Sequence, residues 1–209
     1  MKLTERKKSR TFNQKFLQNS GKKNMVKVIL AFVGMPGAGK SEAAMYLQQK
    51  GVPFIRFGQF TDEGVKKMGL PLNSDNERMV REKFRKKLGM AAYAIMAKPK
   101  IKELLGNNDL VAVDGLYSWE EYVLLKQEFS SLALISIYAE PLIRYDRLAK
   151  RPVRPVPKDK SRERDILELE KLNKGGPIAI ADYCIINNGE LEEMYHGIDN
   201  ILNKLNITL

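Results

Sequence analysis

The sequence predicts an α/β domain in which a parallel sheet carries helices on both faces. Three observations lead there. From Met25 onward, short apolar runs alternate with longer amphipathic stretches, and strands separated by helices are joined by crossovers that leave them parallel. The runs at 26–33, 110–114 and 132–138 are nearly continuous in apolar residues, as strands buried on both faces are. The 209 residues, 44% of them hydrophobic, suffice for one domain or one domain with a small insert.

The elements follow in order. The first strand is VKVILAFV, rich in β-branched residues and ended by Gly34. A helix over 41–50 is closed by Gly51, and a short second strand covers 53–57. A helix over 62–68 stops at Gly69 and Pro71. A long basic helix is expected over 75–96, breakable at Gly89, then a short one over 100–105. The third strand is 110–114. Ser118 is placed to cap a helix over 119–128. The fourth strand, 132–138, precedes a helix over 141–150 that has proline in its favoured first position. Residues 151–160 read as a loop rich in proline and cations, and 162–173 as a charged helix. A fifth strand at 183–186 ends in Asn187-Asn188-Gly189, and a terminal helix spans 191–205 with Gly197 as its weak point. Cys184, inside the apolar fifth strand, is expected in the core.

The formal charge of +11 is unevenly spread. Residues 1–24 hold eight lysines and arginines against Glu5 alone, whereas the rest of the chain sets 28 cations against 24 carboxylates. The body is therefore mildly basic, and the polar first 24 residues read as a disordered tail. Nucleic acid is expected to engage this protein only weakly, through that tail. No apolar run approaches the ~20 residues of a membrane span. A single cysteine rules out an internal disulfide, which fits a reducing compartment, so a cytoplasmic protein is expected.

The chemistry is concentrated in Gly34-Met35-Pro36-Gly37-Ala38-Gly39-Lys40-Ser41, which matches G-x-x-x-x-G-K-[ST] at every fixed position. It sits between a buried strand and a helix, where this phosphate-binding loop must sit. Its glycines let several N–H groups turn inward, and the helix adds its positive end. Gly34, Pro36, Gly37, Ala38, Gly39, Lys40, Ser41 and Glu42 are the candidate nucleotide-binding residues. Lys40 is expected to reach the β- and γ-phosphates of ATP or GTP, and Ser41 to ligate Mg²⁺. Asp114 closes the third strand at the edge where open α/β sheets bind ligands, and is the second candidate for the metal or for orienting the attacking group.

Two cationic segments complete the pattern. Arg144 to Arg151, continued by Arg154, Lys158, Lys160, Arg162 and Arg164, reads as a lid over 151–176 whose cations stabilise transferred charge and exclude water. Arg147 and Arg151 lie four apart and share a helix face. The plain alternative is a solvated face with Glu163, Glu168 and Glu170 as partners. The other segment lies in an insert over 58–106, where Arg81 and Arg85 are placed to grip an acceptor phosphate. Asn187, Asn188 and Gly189 read as a turn that offers backbone groups to a purine.

These residues resemble a known group. The phosphate loop, Asp114-Gly115, the segment E-P-x-x-R-x-x-R-L-x-x-R around Arg144 to Arg151, and Ala181-Asp182-Tyr183 leading to Ile186-Asn187-Asn188-Gly189 look like dephospho-CoA kinases and nucleoside monophosphate kinases. The likeness is closer to the dephospho-CoA-kinase-like P-loop proteins best known from archaea, and covers about 25–205. It implies a three-layer fold with a five-stranded parallel sheet in the order 2-3-1-4-5, an acceptor-binding insert after strand two, and an arginine lid after strand four. It also implies phosphate-facing roles for Arg147, Arg151 and Arg164, with Gly58, Gln59 and Gly115 on the acceptor side. The expected activity is transfer of a γ-phosphoryl group to a small nucleotide-like acceptor. One departure matters: dephospho-CoA kinases carry an aspartate just after strand two, where this chain has Gln59, which takes no proton. Asp62 follows one turn later. The acceptor is then expected to be either a nucleoside monophosphate, whose phosphate needs no strong base, or a dephospho-CoA-like molecule with Asp62 standing in as the base. A regulatory nucleotide switch is the competing expectation, although the sequence has no Asn-Lys-x-Asp guanine motif.

Overall fold

A computed structural model describes residues 27–152 and 154–209. The predicted strand start at Val26 and the basic tail lie outside the described residues. The elements are β1 (Val28–Val33), α1 (Lys40–Gln49), β2 (Phe54–Arg56), α2 (Gly58–Lys67), α3 (Ser74–Leu88), α4 (Ala92–Asn107), β3 (Leu110–Asp114), α5 (Trp119–Glu128), β4 (Leu132–Tyr138), α6 (Pro141–Ala149), α7 (Lys158–Leu172), α8 (Gly175–Ala179), β5 (Tyr183–Ile186) and α9 (Leu191–Lys204). The strands form one sheet in the order β2-β3-β1-β4-β5, parallel throughout.

The period of two along β1 explains the three layers. Val28, Leu30 and Phe32 face a core made with Ala43, Leu47, Met194 and Ile198, from α1 and α9. Ile29, Ala31 and Val33 face the opposite core, with Ala94, Ala97 and Ile101 of α4 and Leu125 of α5. All six β1 residues are buried, so the strand cannot carry a polar side chain on either face. Each fully buried aliphatic or aromatic side chain contributes about 1.5–3 kcal/mol.

Several boundaries differ from expectation for identifiable reasons. The long basic helix is two: α3 stops at Gly89, whose φ of 78° suits glycine, and α4 then absorbs the predicted short helix 100–105. On the lid side α7 begins at Lys158, because Pro157 supplies an extended residue ahead of its first turn. Helix α2 begins at Gly58, so Gly58 and Gln59 lie in a first helical turn rather than in a loop. Ser118 caps α5 as expected, in a full capping box with Glu121. Cys184 is exposed, not in the core. β5 is an edge strand: Ile185 and, in part, Tyr183 pack on the core that α1 and α9 cover, whereas Cys184 and Ile186 face outward.

Candidate functional site

The phosphate loop runs from the end of β1 into α1 at the carboxyl edge of the sheet. Three of its glycines have positive φ: Gly34 at 144°, Gly37 at 81° and Gly39 at 106°. Space, as well as backbone freedom, requires them. A Cβ on Gly37 would come within 2.7 Å of the Arg144 carbonyl oxygen, and one on Gly39 within 2.3 Å of Asn187 Nδ2. No side chain caps the start of α1, so the first-turn N–H groups have no side-chain partner.

The loop is tied down from behind. Arg144, 4% exposed, donates from Nη1 to the Pro36 carbonyl at 3.0 Å and from Nε to the Ala139 carbonyl at 3.1 Å. It also grips Asp165 with both Nη atoms, at 3.0 and 2.6 Å, and Tyr145 donates its hydroxyl to the same carboxylate. One guanidinium thus joins the phosphate loop, the end of β4 and the lid helix α7. Asn187 donates from Nδ2 to the Ala38 carbonyl at 2.8 Å and ties β5 to the loop.

Register brings Asp114 to the loop: β3 pairs with β1 so that Asp114 stands beside Phe32, two residues before Gly34. Ser41 donates its hydroxyl to Asp114 Oδ2 at 3.0 Å. Asp114 Oδ1 is buried and has no hydrogen-bond partner. A buried carboxylate oxygen left bare beside a hydroxyl is a donor set that fits a hard divalent cation such as Mg²⁺. Lys40 is buried and its Nζ donates to the Met35 carbonyl at 3.1 Å. Burial pushes its ammonium down to about 7, and the Lys174 cation pushes the same way. Asp114 and Glu168 pull it back.

That set of neighbours brings the lid to the loop. Arg164 donates from Nε to Glu168 Oε1 at 3.2 Å, and Lys174 pairs with Glu168 Oε2. Lys174, only 2% exposed, lies 4.5 Å over the Tyr117 ring. Burial lowers the Arg151 guanidinium, with Arg164 lowering it further and Tyr117, Asp114 and Glu168 opposing. Burial and the nearby carboxylates raise the Tyr117 hydroxyl. Lys40, Arg151, Arg164 and Lys174 therefore gather around Asp114 and Glu168, four cations against two carboxylates.

The remaining candidates make different contacts. Arg147 donates to the Asn187 carbonyl at 2.8 Å and to Gly189 O at 3.5 Å, and so braces the turn after β5. Asn188 is engaged with Glu140. On the insert, Arg81 pairs with buried Glu77 at 3.4 Å. Arg85 lies 5.6 Å over the Tyr93 ring, and its Nε is buried without a partner. Asp62 is paired with Arg56 and, at 3.8 Å, with Arg154 of the lid loop, which also reaches Glu77. Gly115 has a φ of 94° and packs against Phe57 and Tyr117. Glu42 is partly exposed on the first turn of α1. Sequence reasoning missed Lys174, Tyr117 and the structural part played by Arg144. Arg164 and Glu168 four apart on a helix were a legible pair, but nothing in sequence marked Lys174 as their third member.

Comparison with known proteins bears on the family and the fold. The AAA domain family matches residues 30–168. A UPF0200 protein of Thermococcus onnurineus is 32% identical over 182 residues, covering 85% of this chain and 98% of its own. Among solved structures, shikimate kinase from Bacteroides thetaiotaomicron superposes with a TM-score of 0.52 at 15% identity, covering 86% of this chain and 99% of that one. A sugar kinase from Janibacter sp. superposes with a TM-score of 0.52 at 15% identity, covering 87% and 96%. These likenesses show a P-loop kinase-like fold. Among the described residues no helix is long and apolar enough to cross a membrane.

Proposed function

Because the chain belongs to the AAA domain family and to the UPF0200 proteins, and folds like the P-loop kinases, we propose that it transfers the γ-phosphoryl group of ATP to a small nucleotide-like acceptor. The observation that carries this reading is the meeting of Lys40, Ser41 and Asp114 with a cationic lid. Cationic side chains outnumber carboxylates at the site, which suits the polyanionic tail of a nucleoside triphosphate.

Each residue has a task. The amides of the loop and of the first turn of α1 bind the polyphosphate, and Lys40 bridges its terminal groups. Ser41 and Asp114 would hold Mg²⁺, which neutralises charge on the phosphate oxygens when bound. Arg151 and Arg164 stabilise negative charge on the transferred group. An acceptor oxygen attacks the γ-phosphorus, the bond to the β–γ bridging oxygen breaks, and the nucleoside diphosphate leaves. Arg85, with a bare buried Nε, suits an anionic acceptor, and Arg81, Gly58, Gln59 and Gly115 would shape the same side.

The acceptor class follows from Asp62. Its carboxylate is committed to Arg56 and Arg154, so it is not free to take a proton from an acceptor hydroxyl. A phosphate oxygen is already ionised and needs no base, which favours a nucleoside monophosphate over the hydroxyl of dephospho-CoA. The test is single-turnover transfer from ATP and GTP to nucleoside monophosphates, dephospho-CoA, shikimate and gluconate. Phosphorylation of a monophosphate supports the proposal. Nucleotide hydrolysis with no acceptor phosphorylated overturns it in favour of a regulatory switch.

A further inference from the structure

Lys174 and Glu168 lie outside the phosphate-loop motif and have no task in the transfer as proposed, yet both act electrostatically on Lys40. Lys174 follows Asn173, whose left-handed backbone (φ 50°) ends α7 and turns the chain back toward β3. The turn delivers a lysine into the interior, against the face of Tyr117 and within electrostatic reach of Lys40. Its partner, the Glu168 carboxylate, is held from the other side by Arg164. Burial alone would raise Glu168, but Lys174, Arg164 and Lys40 together hold it below the ordinary carboxylate range. An anion is therefore lodged among the cations of a site whose ligand is an anion.

We propose that the Glu168 carboxylate occupies the place of the terminal phosphate in the nucleotide-free protein, and that a nucleoside triphosphate displaces it and takes Lys174 as a second phosphate-binding lysine. The inference rests on the phosphotransferase reading and adds a residue and a device to it. A buried cation such as Lys174 is costly unless paired. Glu168 satisfies it while the site awaits nucleotide, and the γ-phosphate satisfies it afterwards. The exchange sets triphosphate apart from diphosphate, because a diphosphate has no γ-phosphate to evict Glu168. It also couples lid position to nucleotide state, since Glu168 and Arg164 are both on α7.

The experiment measures affinity for ADP and for the non-hydrolysable β,γ-imido analogue of ATP, with Mg²⁺, in Glu168→Gln, Lys174→Ala and Lys40→Ala. Glu168→Gln removes the competing charge and should raise the preference for the triphosphate analogue about tenfold, the scale of one charge-assisted hydrogen bond. Lys174→Ala should lower that preference by a similar factor. Lys40→Ala should weaken both nucleotides. An unchanged preference in Glu168→Gln overturns the inference, and that arm decides alone if thermal melting shows Lys174→Ala to be unfolded. If Lys40→Ala leaves both nucleotides bound as in the parent, the phosphotransferase reading itself fails. If Lys40→Ala weakens both while Glu168→Gln and Lys174→Ala keep the parental preference, only the present inference fails.

Discussion

Arg144 offers the sharpest test of how the site is held. Its guanidinium, 5% exposed in its side chain, makes a two-pronged pair with Asp165 and donates to the carbonyls of Pro36 and Ala139. Arg144→Met keeps the bulk of the side-chain stem and removes the charge. Asp165 is then left buried with only the Tyr145 hydroxyl, and two backbone carbonyls lose their donor. Removing one partner of a buried ion pair costs about 3–5 kcal/mol. In a domain of this size each kcal/mol moves the melting temperature by about 2–4 °C. The expected loss is thus about 6–20 °C by thermal denaturation, followed by circular dichroism. Asp165→Leu alone should cost a similar amount. The double variant Arg144→Met/Asp165→Leu should cost clearly less than the sum, because no unpaired charge remains. A single variant melting within about 2 °C of the parent, or strictly additive losses in the double, would refute the claim that this pair clamps lid helix to phosphate loop.

Other expectations concern the site directly. Lys40→Ala should abolish phosphoryl transfer without lowering the melting temperature, since the lysine sits buried and depressed to about 7 when no nucleotide is bound; a destabilised variant in a melting scan would contradict this. Triphosphate binding must restore the Lys40 proton, so affinity should fall as pH rises from about 7 toward 9, with proton uptake visible as a buffer-dependent heat in calorimetry. Gly37→Ala, strained at φ 81° and meeting Arg144 O at 2.7 Å, should lose both stability and nucleotide binding, read by melting and by titration. Glu121 is buried and its carboxyl is raised by burial to about 7, against hydrogen bonds from Tyr117 and Ser118. The folded state therefore holds a proton that the unfolded state releases near 4.5, and the parent should lose up to roughly 3 kcal/mol as pH climbs from 4.5 to above 7. Glu121→Gln should flatten that slope in denaturant titrations at several pH values. Arg85→Ala should raise the acceptor KM with little change in ATP affinity, by steady-state assay.

Local chemistry determined much of this protein. Continuous apolar runs made β1, β3 and β4 legible, because a strand covered on both faces admits no polar residue. The spacing of Gly34, Gly37, Gly39, Lys40 and Ser41 was legible because amides can ring a phosphate only where Cβ atoms are absent, and Ser118 was legible as a cap from its side chain. Tertiary structure decided the rest. Register between β1 and β3 set Asp114 against Ser41, a pairing that no spacing of 73 residues announces. Position at the sheet edge, invisible in an apolar run, exposed Cys184. The arginines of the lid looked alike in sequence, and only packing separated Arg144, buried as a clamp, from Arg147, spent on the β5 turn, and from Arg151 and Arg164, near the loop. Lys174 had no signature at all, since its role comes from a left-handed turn at Asn173 that folds one buried charge back onto another. Sequence records what each residue prefers, whereas the choice among equivalent charges is made by which of them the chain brings out of water together.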